Sequence, residues 1–207
     1  MMVGELEIFR GNYNVAARNF EKAVGIGDEI GDMQVQSEGR YGAALASLAV
    51  GDAAAARRWI ESARQCRFPL QDSRNSALSG IVSYGQSDLT AAKRAFVSAV
   101  EQAGAVLATG PELYAALDAK AIALCGLALC GDTEQTIAAR AAFRAARAVT
   151  SAAGVVRKVL QLFDALALAD ESRVLADIRP DAAGDNAERP DASRPLRSTI
   201  EGGRVGS

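Results

Sequence analysis

Along the first 170 residues the apolar positions recur at helical spacing, and one arrangement of them returns four times. A small residue is followed four positions later by a large apolar one and three later by alanine. The triplets are Ala16/Phe20/Ala23, Ala56/Ile60/Ala63, Ala92/Phe96/Ala99 and Ala139/Phe143/Ala146, with final alanines 40, 36 and 47 residues apart. Steps of four and then three residues keep all three side chains on one face of a helix. The alanines let a neighbouring helix approach closely, and the large residue between them fills the space where two helices splay. Periods of this length are those of stacked helical hairpins.

Each triplet helix follows a turn signal, and before that another helical stretch. The spacing predicts a helix over 34–50, a break at Gly51-Asp52, and a second helix over 53–66, with Phe68-Pro69 ending the pair. A third hairpin is predicted over about 74–84 and on to about 106, turning between Gly85 and Asp88. The fourth runs over about 111–130, opened by Pro111, and about 134–151. Residues 153–170 carry Val156, Leu160, Phe163 and Ala167 at helical spacing and read as a last helix covering the open end of the stack. Beyond about 170 the pattern fades. The expected division is a repeat domain over 1–170 and a tail over 171–207, with a short helix possible to 179 and disorder from about Asp181, where prolines and glycines dominate.

Composition narrows the chemistry. The chain has 207 residues, no histidine, three cysteines and 43 alanines, so no imidazole base, Ser-His triad or histidine-containing metal site can be built from it. No cofactor and no metal are expected, and the chain is read as non-enzymatic. The 23 basic and 25 acidic residues leave a net charge of -2, which provides no bulk field toward nucleic acid or an acidic membrane. Cys125 and Cys130, five residues apart in an apolar stretch, point about 140° apart on a helix and read as buried reduced thiols. Cys66 is a redox candidate if exposed. The longest apolar run, residues 121–130, is half a membrane span. A cytoplasmic protein without a membrane segment is expected.

The repeated phrase resembles the tetratricopeptide repeat, in which a first helix with a small residue at its middle pairs with a second carrying the small, large, small triplet. Gly4, Ala44, Gly80 and Leu124 take the first-helix position, and Gly11, Gly51, Ser87 and Gly131 the turn. The long period and the segment 24–32 look like the variant found behind the ATPase modules of bacterial STAND-class regulators. The resemblance spans about residues 3–170. It departs from the family pattern in mostly lacking the early first-helix aromatic, and in having a helix-ending proline only at Pro69.

The resemblance implies an all-α, right-handed α-solenoid of about four repeats plus a capping helix, with a concave groove lined by the first helices. Carried onto this chain, the groove positions are Glu38, Tyr41, Leu45, Leu48, Arg74, Ala77, Ile81, Tyr84, Asp118, Ala121, Cys125, Ala128, Arg157, Leu160, Asp164 and Ala167. Such a mostly apolar surface with two tyrosines would suit an apolar or amphipathic peptide or partner protein. The alternative is that Tyr41 and Tyr84 pack between hairpins. On the outer helices Arg18, Arg57, Arg58, Arg64, Lys93, Arg94, Arg140, Arg144 and Arg147 form a ridge, read as a solvated convex face because glutamates interrupt it and no aromatics interleave.

A protein-interaction scaffold is therefore the expected function. The alternative is a ligand- or partner-sensing regulatory domain of a larger transcriptional or ATPase signalling protein. The short stretch before Gly4 makes an incomplete first hairpin, hence a fragment of a longer regulator, part of that expectation.

Overall fold

The structure is a computed structural model and describes residues 2–66 and 68–185. Ten helices follow in order: α1 (Met2–Phe9), α2 (Tyr13–Ile30), α3 (Met33–Ala49), α4 (Ala53–Ala63), α5 (Pro69–Gly85), α6 (Leu89–Thr109), α7 (Tyr114–Leu129), α8 (Gln135–Val149), α9 (Ala153–Ala167) and α10 (Arg179–Ala183). There is no strand among the described residues. Consecutive helices pack as pairs, α1 with α2, α3 with α4, α5 with α6 and α7 with α8, and the first helices also touch one another, α3 against α5 and α5 against α7. The all-helical expectation holds, with packed consecutive pairs that are consistent with a helical repeat.

Local chemistry explains the hairpin turns. Gly11, Gly51 and Gly131 all have positive φ, which glycine adopts without a Cβ penalty. Ser87 holds the same left-handed conformation at φ 61°. An aspartate then caps the next helix: the carboxylates of Asp52 and Asp88 accept from the backbone N–H of Ala55 and Ala91 at 2.8 and 3.0 Å, and Asp32 does the same for Val35 at the start of α3.

The triplets face inward as the spacing requires, with all twelve residues buried. Their large members rest on bare backbone. A Cβ added to Gly80 or to Gly126 would lie 2.3 Å from the Phe96 ring, so that ring is wedged between α5 of its own hairpin and α7 of the next. Phe20 stands in the same relation to Gly4 and Gly42. In the last hairpin Phe143 meets Phe163 of α9 edge-on, with centroids 6.2 Å apart.

Three boundaries differ from the sequence expectation. Pro69 opens α5 at its first turn instead of ending the preceding pair, because a proline at that position sacrifices no helical hydrogen bond. Pro111 lies in the turn before α7, which starts at Tyr114. Ordered packing continues past residue 170: Leu175 and Ile178 are buried, the Asp170 carboxylate accepts from the backbone N–H of Val174 and Leu175, and α10 begins at the residue where the short helix was expected to end. The rest of the tail expected to be disordered, 186–207, lies outside the described residues.

The glycine wedges and the strained serine make opposite predictions for urea unfolding. Gly80→Ala, which drives a methyl into Phe96, should lower stability by about 1–3 kcal/mol. Ser87→Gly should raise it by about 1 kcal/mol by removing a left-handed penalty.

Candidate functional site

The first helices and α9 line a partly open cavity of about 250 Å³. Its apolar wall comes from Ile8, Phe20, Leu45, Ile122, Val159 and Leu162, and its polar groups from Glu5, Glu38, Tyr41, Gln71, Arg74 and Asp118, with Tyr114 and Lys158 at the margin. The cavity exists because α9 does more than cover the end of the stack. It packs against α5 and α7, and side chains in its first half reach the first hairpin. There Lys158 Nζ donates to Glu5 Oε1 at 2.5 Å, Arg157 Nη1 donates to the Phe9 carbonyl at 2.9 Å while its guanidinium lies over the Phe9 ring, and Gln161 Nε2 donates to the Tyr13 hydroxyl. At the other end, Asp164 pairs with Arg179. The side chains turned inward, Val159, Leu162, Phe163 and Leu166, are buried.

Of the positions expected to line a groove, the structure brings Glu38, Tyr41, Leu45, Arg74, Ala77 and Asp118 to this cavity. Tyr41 is buried with the Arg74 guanidinium 4.3 Å over its ring, and Glu38 accepts from Gln34 Nε2 at 3.0 Å. Ile81, Ala121, Cys125 and Ala128 are core residues outside it. Leu48 and Tyr84 are half-buried elsewhere; burial raises the Tyr84 hydroxyl above its ordinary pKa, and so, to a lesser degree, do nearby Cys130, Asp170 and Glu171. Arg157 and Asp164 are exposed and serve as attachments of α9, while Leu160 and Ala167 are half-buried on it.

Two kinds of wall residue that sequence reasoning missed are instructive. Gln71, Tyr114 and Ala115 lie one helical turn before Arg74 and Asp118, so the same stripe extended N-terminally would have found them. Val155, Lys158, Val159 and Leu162 carry a recognisable apolar stripe, but nothing in their spacing says which surface it covers.

Asp118 is the most perturbed wall residue. It is 6% exposed and holds a two-oxygen ion pair with Arg147 Nη2, at 2.5 and 2.6 Å. Burial pushes its carboxyl up to about 6, with the Arg147 charge and hydrogen bond pulling the other way. Arg147 is itself 6% exposed, and its Nε and Nη1 have no hydrogen-bond partner among the described residues.

The outer ridge is thereby corrected at one end. Arg147 points into the core, and Arg140 and Arg144 converge on the carboxylate of Asp181, 1% exposed, with Nε donors at 2.6 and 2.7 Å. These three arginines hold α8 to α7 and to α10. Arg18, Arg58, Arg64, Lys93, Arg94 and Arg144 are exposed, as the solvated-face reading expects, and the reading fails for Arg147, whose partner lies inward on α7.

Cys66 is buried, with its thiol donating to the Ser62 carbonyl, so the exposure that a redox role required is absent. Burial pushes the Cys125 thiol far up, and Cys130 up more modestly. Among the described residues no three metal-ligating side chains cluster, and no helix is long and apolar enough to cross a membrane. No family model matches the chain, and no curated protein matches it.

A buried ion pair is costly to break from one side only. Asp118→Asn should therefore destabilise by about 3–5 kcal/mol, and the double variant Asp118→Leu/Arg147→Met should recover most of that in urea unfolding. Because the folded-state pKa lies above the unfolded one, the folded protein binds the extra proton. The stability of the wild type relative to the double variant should fall as pH rises from about 4 to about 6 and level off above.

Proposed function

We propose that this chain is a non-enzymatic protein-interaction module, a tetratricopeptide-like right-handed solenoid of about four hairpins, and that its groove binds an amphipathic helix of a protein partner. The observation that carries this reading is α9. An amphipathic helix already lies against the first helices, with its apolar stripe inward and Arg157, Lys158 and Asp164 off that stripe, which is the helix-in-groove mode of recognition. A surface that accepts one such helix in cis has the shape and polarity to accept another in trans.

The energetics set a condition on the partner. Burying Val159, Leu162, Phe163 and Leu166 is worth roughly 1.5–3 kcal/mol for each side chain, whereas the exposed ion pairs at the ends of α9 add roughly 0–1 kcal/mol each. A partner helix must therefore bring a comparable apolar stripe, and the end contacts are the part that can be loosened without emptying the core. Localisation in the cytoplasm belongs to the same proposal, supported by three free cysteines, of which Cys66 and Cys125 are buried.

Affinity purification of the full chain from its host, wild type against Arg157→Glu/Lys158→Glu, tests this. Charge reversal opposite Glu5 loosens α9, so the variant should recover severalfold more of a stoichiometric partner, and a synthetic peptide of residues 153–167 should compete with that partner. Equal or lower recovery with the variant, together with no competition by the peptide, would exclude the groove as the binding surface.

A further inference from the structure

We propose that the outer groove between α4 and α6 docks a short, extended acidic segment of a partner protein, held by Arg57 and Arg64 on one wall and by Arg94 on the other. This groove lies on a different face of α5 from the cavity under α9: Ser79, Val82 and Ser83 of α5 form its floor, whereas Gln71, Arg74 and Ala77 line the cavity. The proposal is therefore independent of the partner-helix reading, and either can fail without the other.

Charge complementarity names the occupant. The chain as a whole carries a net charge of -2, yet this groove of about 260 Å³ is lined by three arginines against one carboxylate, that of Glu61. Glu21 and Glu101, which interrupt the outer ridge in the sequence, do not line it. Among the described residues none of the three arginines has a carboxylate within ion-pair distance, and Glu61 has no basic partner. Arg57 donates to the Gln86 side chain, a contact that places its guanidinium without neutralising it. Arg64 and Arg94 are exposed and accessible from solution. A guanidinium offers paired N–H groups that match the two oxygens of a carboxylate. The hydroxyls of Ser79, Ser83 and Ser98 add donors that bring no opposing charge.

Spacing sets the form of the segment. Arg57 and Arg64 are seven residues apart at the middle and C-cap of α4, which is about 10.5 Å along one helix face. In an extended polyproline-type chain, residues three apart lie on the same side and about 9 Å from each other. Two acids separated by two other residues can therefore meet both arginines, with Arg94 on the opposite wall. Glu61 lies between the two arginines on the same face and disfavours an acid at the middle positions. Ile60 and Val82, both buried, line the bottom and suit a small apolar side chain there. A helix, about 10–12 Å across with its side chains, is too wide for the groove. Nucleic acid fits less well, because no aromatic side chain lines the groove for a base to stack on and Glu61 would face the phosphates. Residues 186–207 of the chain itself hold four arginines against three carboxylates, so the acidic segment comes from another protein.

The test is calorimetric titration of the full chain with the end-blocked peptide Gly-Pro-Asp-Pro-Ala-Glu-Pro-Gly and with its counterpart carrying Asn and Gln in place of the two acids. The acidic peptide should bind, with an affinity that falls severalfold as salt rises from about 50 to about 300 mM, and the neutral peptide should not. Arg64→Gln/Arg94→Gln should weaken binding by roughly tenfold or more. Arg18→Gln/Lys22→Gln, an equal loss of charge on α2 away from the groove, should leave it nearly unchanged. All four of these side chains are exposed, so both variants keep the core intact. A peptide of residues 153–167 should not compete with the acidic peptide. Absence of binding by the acidic peptide, equal binding by the neutral one, or equal weakening in the two double variants would overturn the proposal, as would competition by the 153–167 peptide or tighter binding of an oligothymidylate of equal charge.

Discussion

The structure depends on aromatic rings seated on backbone that carries no side chain. Phe96 fits between Gly80 and Gly126, and Phe20 between Gly4 and Gly42, each ring joining its own hairpin to the first helix of the next. Such contacts bring helices closer than any larger residue would permit, and they are directional: the ring has one place to sit. Alanines on either side of each ring extend the close approach along the seam. The interior is close-packed in consequence, and the first helices touch one another in succession.

Charge takes over where the small-residue seam ends. α8 has no following hairpin to pack on, and its arginines reach instead to Asp118 on α7 and Asp181 on α10. Buried pairs of this kind add little net stability against an apolar alternative, yet removal of one member leaves the other unpaired in a low dielectric. They therefore determine which arrangement of α7, α8 and α10 is tolerated more than they determine how stable it is. The Asp118–Arg147 pair also sits at the cavity wall and occupies a carboxylate there.

The placement of α9 underlies the partner-helix proposal. Its inward stripe completes the core, while its outward ends are tied by contacts that solvent weakens, Lys158 with Glu5 and Asp164 with Arg179. Strong burial along the middle and weak attachment at the ends describe a helix that stays in place in isolation and responds to groups competing for its ends.

Much of the fold was legible in the residues because its cause is local. Ala16/Phe20/Ala23 and its three counterparts mark a helix face by spacing alone, and Gly11, Gly51 and Gly131 mark turns by their φ. Even Arg147 could have been placed inside, since it follows Phe143 by four residues and continues the buried face of α8. The cavity residues divide along the same line: Tyr41, Arg74 and Asp118 lie on stripes that periodicity reveals, and Gln71 is one turn from Arg74. What periodicity cannot supply is the partner of a stripe. That α9 lies across the first helices and reaches α1, and that Asp181 draws in Arg140 and Arg144, are both consequences of contacts between residues far apart in the chain. Spacing determined which faces must be buried, because helix geometry is set by neighbouring residues; the tertiary structure decided what buries them, because that choice is made by shape and charge across distances the local pattern does not encode.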